Sequence, residues 1–134
     1  LTCGLLVWND DIPAAHPIAQ ALDHTNGNYW HAIIHRREGD YWNAKYWFRL
    51  VGSHPVQTEL ARMAEVKPFL KKGDFVPGLM VDACERASAR TPAPAQATAE
   101  PIAAPIGDET EALQRLQLAE IKALLSYCRL LPDN

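Results

Sequence analysis

Two histidines, His31 and His35, have the spacing in this sequence that is best suited to chemistry. Residues four apart on a helix share one face, so two imidazoles at this spacing can bind one metal ion. Glu38 follows one turn later, and His54 or His16 can add a third ligand from a neighbouring helix. No HExxH or CxxC motif accompanies the pair, and a histidine beside tryptophan is more often a core residue bonded to a backbone carbonyl. The favoured expectation is therefore no cofactor, with a divalent metal on His31 and His35 as the alternative.

The segment from residue 35 to residue 55 also carries a local excess of positive charge. Its basic residues are Arg36, Arg37, Lys45 and Arg49. Against Glu38 and Asp40 they sum to +2, whereas the rest of the chain sums to −5. Charged groups beside buried aromatic residues are either paired or face a cleft, so these residues are either structural or part of a binding site.

Two interpretations of the basic residues stand. In the favoured one, Arg36 or Arg37 pairs with a nearby or distant carboxylate, since structural ion pairs are the commoner use. Arg49 then lies along Trp42 or Tyr46 in a cation–π contact. In the alternative, the segment forms an anion-binding pocket with an aromatic wall. The candidate ligand-binding residues are His31, His35, Arg36, Arg37, Glu38, Lys45 and Arg49.

Aromatic residues are concentrated in the same part of the chain. Seven of the eleven lie between residues 29 and 48, and they are Tyr29, Trp30, Tyr41, Trp42, Tyr46, Trp47 and Phe48. Within the helix predicted at 41–51 they point in nearly every direction, which is typical of a helix buried on several sides. Because aromatic rings dominate protein cores, we interpret this helix as a central core element rather than a ligand-stacking box.

The elements that position these residues are predicted to be helices joined by short breaks. One helix spans 29–37, and Gly39 with Asp40 breaks it. The Asp40 carboxylate is expected to cap the next helix by accepting a backbone N–H of residue 42 or 43. That helix runs to Val51 and ends at Gly52, a residue free to take a left-handed conformation. A third helix begins at His54-Pro55, with proline in the first turn, and buries a face of Val56, Leu60 and Met63.

A weak internal repeat lies 29 residues upstream, where Asp11–Ala15 aligns with Asp40–Ala44. Each half has the pattern of a helix, a short acidic break and a second helix. The two pairs are expected to stack, each covering the apolar face that the other cannot bury alone. Pro17 makes the first pair less regular, because a proline inside a helix removes one hydrogen bond and kinks the chain.

The C-terminal part divides into three segments. One helix is predicted within 73–90, and the proline- and alanine-rich run at 91–107 predicts a flexible linker. Residues 108–131 predict an amphipathic helix with Asp108 and Glu111 as a capping box. Its apolar stripe is expected to fold back onto the aromatic part and complete one core. The domain prediction is therefore one domain, made of a core at 1–90, the linker and the docked helix.

Composition and charge narrow the class of protein. The chain has 134 residues, of which 48% are hydrophobic and 22% charged, as in an ordinary globular domain. A net charge of −3 argues against a nucleic-acid partner, and no apolar run is long enough to cross a membrane. Cys3, Cys84 and Cys128 form no CxxC pair and predict reduced thiols in a cytoplasmic protein. The chain opens at Leu1 without a methionine, which leaves open whether an upstream segment is missing.

The second helix pair resembles a tetratricopeptide repeat unit. The residues that carry the resemblance are GDY at 39–41, Ala44 and Phe48 four apart, and Pro55. In that family the small residue lies where two helices touch, and the aromatic residue packs between neighbours. The resemblance implies stacked helical hairpins.

Three departures limit that resemblance to the architecture. Ala32 and His35 stand where a glycine and a tyrosine are usual in the family. The apparent period is 29 residues, whereas a tetratricopeptide repeat has about 34.

A longer run, YWHAIIHRREGDYWNAKYWFRLVGSHP, is similar to a run shared by a group of uncharacterised, mostly bacterial proteins. The likeness extends from about Gly4 to Val56 and more thinly to the terminal helix. It implies one helical domain and leaves the function open.

The sequence therefore predicts an all-α fold of stacked helical hairpins with a docked C-terminal helix. The favoured function is a binding or scaffold domain that holds a protein or peptide partner, without established enzymatic activity. The alternative is a small-molecule, anion or metal site within 31–49, which would allow enzymatic activity.

Overall fold

The computed structural model describes residues 1–90 and 108–131 of the chain. Helices dominate both ranges, which confirms the predicted all-α class. The linker predicted at 91–107 and the capping box predicted from Asp108 lie outside the described residues and side chains.

Seven α-helices, one 3-10 helix and one short β-hairpin make up the described ranges. In chain order they are α1 (Thr2–Trp8), α2 (Ile12–Ala21), α3 (Thr25–Arg37), α4 (Tyr41–Val51), α5 (Pro55–Leu60), the 3-10 helix (Ala64–Phe69), β1 (Leu70–Lys71), β2 (Asp74–Phe75), α6 (Pro77–Arg90) and α7 (Asp108–Arg129). None of the helices in these ranges has both the length and the apolar character that a membrane crossing requires.

Helices α1 to α4 form two helix–break–helix units, as predicted. α2 begins after Asp11, whose carboxylate accepts a hydrogen bond from the backbone N–H of Ala14 at 3.2 Å. It continues through Pro17 to Ala21. α4 ends at Gly52, whose φ of 64° suits a residue without a Cβ. The tetratricopeptide-like stacking of the two units stays a prediction.

Two predictions about helix starts were wrong in detail. α3 begins earlier than predicted, at Thr25, because Nδ1 of His24 accepts the backbone N–H of Gly27 at 3.0 Å and caps the helix. Asp40 is the N-cap residue of α4, as predicted, but its carboxylate accepts the side-chain amide of Asn43 at 2.6 Å and makes no backbone capping bond of good geometry.

The chain after α5 departs further from the prediction. α5 ends at Leu60, and Met63 lies outside it, directly before the 3-10 helix. The β-hairpin was not predicted, because strands of two residues carry no alternating pattern. Its turn contains Lys72 and Gly73, both with positive φ, which gives the twist that a two-residue hairpin loop requires.

The core is built on α3, which lies between α2 and α4. Tyr29, Trp30, Ile33 and Ile34 are all buried on it. The buried face of α7 adds Leu113, Leu116, Ile121, Leu124 and Cys128. α7 packs against α1, α5, α6 and the 3-10 helix, so it covers the aromatic core from one side.

The expectation that α4 is a central core helix buried on several sides was wrong. Ala44 and Phe48 are buried, but Trp42 is 69% exposed and Tyr46 is 41% exposed. Their rings are near-parallel with an interplanar angle of 7°. α4 is therefore amphipathic, with its buried face against α3 and α6. Which face of a helix is buried depends on the elements that pack against it, and the local sequence does not encode that packing.

Candidate metal site

Three histidines converge at the interface between α2 and α3. His16 comes from α2, and His31 and His35 come from successive turns of α3. One ring nitrogen of each lies within 4.8 Å of one ring nitrogen of the other two. The packing of α2 on α3 thus supplies the third imidazole that the pair on α3 needs.

The closest of these contacts has the spacing of two ligands on one metal ion. Nε2 of His16 lies 3.2 Å from Nε2 of His31. A tetrahedral zinc ion with Zn–N bonds of 2.0–2.1 Å holds two nitrogens about 3.3 Å apart. The third nitrogen, from His35, lies within 4.8 Å of the other two. The His35 ring must therefore move closer for all three nitrogens to hold one ion.

Ring packing restricts the orientation of all three imidazoles. His31 stacks on the indole of Trp47 at 4.0 Å and on the ring of His35 at 4.7 Å. The ring of His16 meets both other imidazoles edge-on, at 5.0 and 4.9 Å. Stacked and edge-to-face contacts of this kind are favourable and limit side-chain rotation. The histidines are therefore held together before any ligand binds.

Two carboxylates lie on the outer side of the cluster. Nδ1 of His16 donates to the Glu38 carboxylate, with distances of 3.1 and 3.2 Å to its two oxygens. Nδ1 of His35 is buried and makes no hydrogen bond of good geometry, although oxygens of Asp40 and Glu38 lie 3.4 and 3.6 Å away. A carboxylate on one imidazole nitrogen orients the ring and makes the other nitrogen a better metal ligand. Glu38 and Asp40 have this position.

The Glu38 carboxylate orients the His16 ring. Because a carboxylate oxygen accepts, Nδ1 of His16 carries the proton of their hydrogen bond. The Nε2 atoms of His16 and His31 lie 3.2 Å apart, so one of them donates its proton to the other in the absence of metal. Metal binding would replace this proton, as it does wherever histidine ligands must be neutral.

Electrostatics keep two of the imidazoles neutral at physiological pH. Burial, together with the nearby rings of His35 and His16, lowers the pKa of His31 to about 4. Burial and the nearby ring of His16 also lower the pKa of His35, although Asp40 and Glu38 oppose this. Neutral imidazoles have the free lone pairs that metal ions require.

One side of the cluster opens on a cleft. The cleft has a volume of about 570 Å³ and is lined by Ile12, Pro13, His16, Pro17, Gln20, Arg37 and Glu38. The side chain of His16 is 26% exposed, whereas His31 is buried. Solvent therefore reaches the cluster from the His16 side.

Arg36, a predicted site residue, points away from this cluster. Its Nη2 lies 2.5 Å from Oε1 of Glu120 on α7, and both side chains are fully buried. The Tyr29 hydroxyl donates to the other Glu120 oxygen at 3.0 Å. Burial alone would lower the pKa of Arg36, but Glu120, Cys84 and Tyr29 together raise it. Arg36 thus pairs with a distant carboxylate, as the favoured interpretation expected, and it does not lie with His31 and His35 in one site, as the alternative interpretation requires.

The other basic residues lie at separate places. Arg37 pairs with Asp10 and borders the cleft beside His16. Lys45 pairs with Asp82 on α6 at 3.0 Å.

Arg49 is exposed near the end of α4. The cation–π contacts of the described residues join Arg36 to Phe48 and Lys122 to Trp8, so the contact expected for Arg49 was wrong.

His54, the other histidine considered as a third ligand, has a structural position. Its Nδ1 accepts the backbone N–H of Val56 at 3.2 Å and caps α5. Its Nε2 therefore carries the proton and donates to Oδ1 of Asn26 at 2.8 Å. Both nitrogens are used, which leaves His16 as the third member of the cluster.

The cysteines do not contribute to the site. Cys3, Cys84 and Cys128 form no disulfide, in line with the sequence prediction. Burial raises the pKa of Cys3 to about 11, and burial also raises the pKa values of the other two. These thiols stay protonated near neutral pH, so they are poor nucleophiles and poor metal ligands.

The sequence missed two acidic residues that the fold brings to this region. Glu120, the partner of Arg36, lies 84 residues further along the chain, and Asp10 lies 27 residues before Arg37. The one signal for Glu120 in the sequence is its position, four residues from both Leu116 and Leu124 on the apolar face of α7. Asp10 carries no comparable signal.

Comparison of the chain with protein-family models, with curated proteins and with solved structures gives no match.

Proposed function

We propose that this protein binds a divalent transition-metal ion through His16, His31 and His35. The convergence of three imidazole nitrogens from two helices carries the proposal. Two histidines at this spacing recur by chance, but a third from another helix, with carboxylates behind two of the rings, is the arrangement of a metal site.

Zinc is the ion that these donors fit best. The cluster offers nitrogen ligands and, among the described residues, no thiolate, which favours borderline ions such as Zn²⁺ over soft ions. Three protein ligands and a tetrahedral preference leave one position for solvent, the pattern of zinc sites that act on substrates. This keeps enzymatic activity within the proposal without identifying a reaction.

A second candidate is the binding of a protein or peptide partner, in the manner of tetratricopeptide-like hairpins. The exposed stripe of Trp42, Tyr46 and Leu50 on α4 favours it, because large apolar residues exposed in line on successive helical turns form a patch of the kind that marks interaction sites. The cytoplasmic location and the likeness to uncharacterised bacterial proteins stay predictions from the sequence.

Metal titration of the full chain tests the main proposal. After removal of bound metal with a chelator, Co²⁺ is expected to bind one per chain and to give the visible absorption of a four-coordinate ion, and Zn²⁺ is expected to displace it. Zinc at 100 times its Kd should add about 2.7 kcal/mol to the free energy of unfolding and raise Tm by roughly 10 °C.

Variants of the histidines sharpen this titration. His16→Ala should weaken metal binding by more than about 100-fold, because loss of a ligand exceeds the effect of losing an outer carboxylate. His16 is half-buried, so this variant is expected to fold. His24→Asn, which keeps a capping side chain outside the cluster, should bind as the wild type does. The proposal fails if Co²⁺ and Zn²⁺ do not bind, or if His16→Ala binds them unchanged.

The role of the outer carboxylate gives a separate prediction. Glu38→Ala removes the acceptor of His16 Nδ1 and should weaken zinc binding by about 10- to 100-fold. Competition against a chelating dye measures the change. Glu59→Ala, an exposed glutamate on α5, is the matched control and should have no effect. Equal affinities for the two variants would show that Glu38 does not support the site.

A further inference from the structure

The proposed ion has three protein ligands and an adjoining cleft. Within the described residues, the group that can hold an ion consists of His16, His31 and His35 alone. A tetrahedral ion on them therefore has one exchangeable position. His16 belongs both to this group and to the lining of the cleft, so a molecule in the cleft contacts one of the proposed ligands.

The cleft has the size and lining of a small-molecule site. Its volume of about 570 Å³ falls in the range of ligand pockets. One wall is apolar and stiff, formed by Ile12, Pro13 and Pro17 of α2. The lining also includes polar residues, among them Gln20 and Arg37.

Charge limits the kind of ligand. Arg37 has five N–H donors, and its contact with Asp10 uses Nη2. A divalent ion and a guanidinium attract an anion, and a guanidinium matches a carboxylate in geometry. Glu38 lines the same cleft, and Asp10 pairs with Arg37. Their negative charges disfavour a ligand that carries more than one negative charge. A monoanion is therefore favoured over phosphate or sulfate.

We infer that the cleft binds a small monocarboxylate with an apolar tail, its carboxylate shared between the bound ion and Arg37 and its tail against Ile12, Pro13 and Pro17. This inference rests on the proposed metal site. It adds the class of ligand and makes Arg37 a ligand-positioning residue.

Co²⁺-loaded full-length protein provides the test, because the visible spectrum of Co²⁺ reports a change of its ligands. Butyrate is expected to change the spectrum saturably, and to bind up to about tenfold more tightly than acetate because of its two additional methylene groups. Phosphate should bind more weakly than either carboxylate.

Variants separate the role of Arg37 from that of the metal site. Arg37→Gln should weaken butyrate binding about tenfold and leave Co²⁺ affinity unchanged. Because the Arg37–Asp10 pair is partly exposed, this variant is expected to stay folded. Arg49→Gln makes the same charge change outside the cleft and should bind butyrate as the wild type does.

The possible failures are distinguishable. If Co²⁺ binds but butyrate leaves the spectrum unchanged, or phosphate binds more tightly than butyrate, the ligand inference is overturned and the metal site stands. If Arg37→Gln and Arg49→Gln behave alike, Arg37 has no part in binding. If Co²⁺ does not bind, the metal proposal fails and the ligand inference fails with it.

Discussion

Replacing Glu120 with alanine is expected to lower the free energy of unfolding by about 3–5 kcal/mol, which is a large part of the stability of a typical domain. The variant leaves the Arg36 guanidinium buried without its carboxylate partner. It also removes the acceptor of the buried Tyr29 hydroxyl. An unpaired charge in the core cannot regain the solvation that it lost on folding. Urea denaturation of purified wild type and variant measures the difference.

Two further variants identify the cause of this loss. Asp82→Ala breaks the partly exposed pair with Lys45 and should cost no more than about 1 kcal/mol, because solvent screens that pair. The double variant Arg36→Met/Glu120→Leu removes both buried charges and should recover much of the stability lost in Glu120→Ala. A Glu120→Ala variant no less stable than Asp82→Ala would show that the buried pair has no special role.

The metal-free protein is expected to lose stability as the pH falls from about 6.5 to about 4. In the folded protein, burial and neighbouring imidazoles hold the pKa of His31 at about 4, below its ordinary value of 6.5. Burial also lowers the pKa of His54. Between the two pKa values of His31, the unfolded chain binds a proton that the folded chain excludes, so protonation favours unfolding. The stability is fully present above pH 6.5 and is lost as the pH falls.

The lowered pKa of His31 corresponds to a loss of about 3 kcal/mol in the free energy of unfolding at low pH, because each pKa unit is worth 1.36 kcal/mol. Denaturation at a series of pH values, with a chelator present, measures the slope. His31→Phe keeps an aromatic ring against Trp47 but does not titrate, so its slope over this range should be smaller. His24→Asn changes an exposed histidine and should keep the wild-type slope. Parallel curves for wild type and His31→Phe would contradict the assignment of this effect to His31.

The helices of the central segment were predictable because their signals are local. Gly52 ends α4 through its own backbone freedom, and His54-Pro55 begins α5 through a cap and a fixed φ. The two histidines of α3 were found as a pair for the same reason, since helical spacing alone puts them on one face. The helix start at Asp40 was predicted for the same reason, although its carboxylate bonds the side chain of Asn43.

The completed site was not predictable, because it depends on which helices pack together. The sequence offered His16 and His54 as equal choices for a third ligand. The packing of α2 on α3 placed His16 in the cluster, and the cap of α5 used both nitrogens of His54. Arg36 shows the same dependence, since its partner Glu120 lies on a helix that reaches it only in the folded protein.

By itself, the sequence determined the all-α class, the helix ends marked by glycine and proline, and the i, i+4 pair His31 and His35. These features depend on backbone preferences and helical periodicity within a few residues. Only the tertiary structure decided that α4 exposes Trp42, that Arg36 is structural, and that His16 completes a three-histidine cluster beside a cleft. Contacts between distant residues depend on the relative placement of helices, and a local pattern contains no record of that placement.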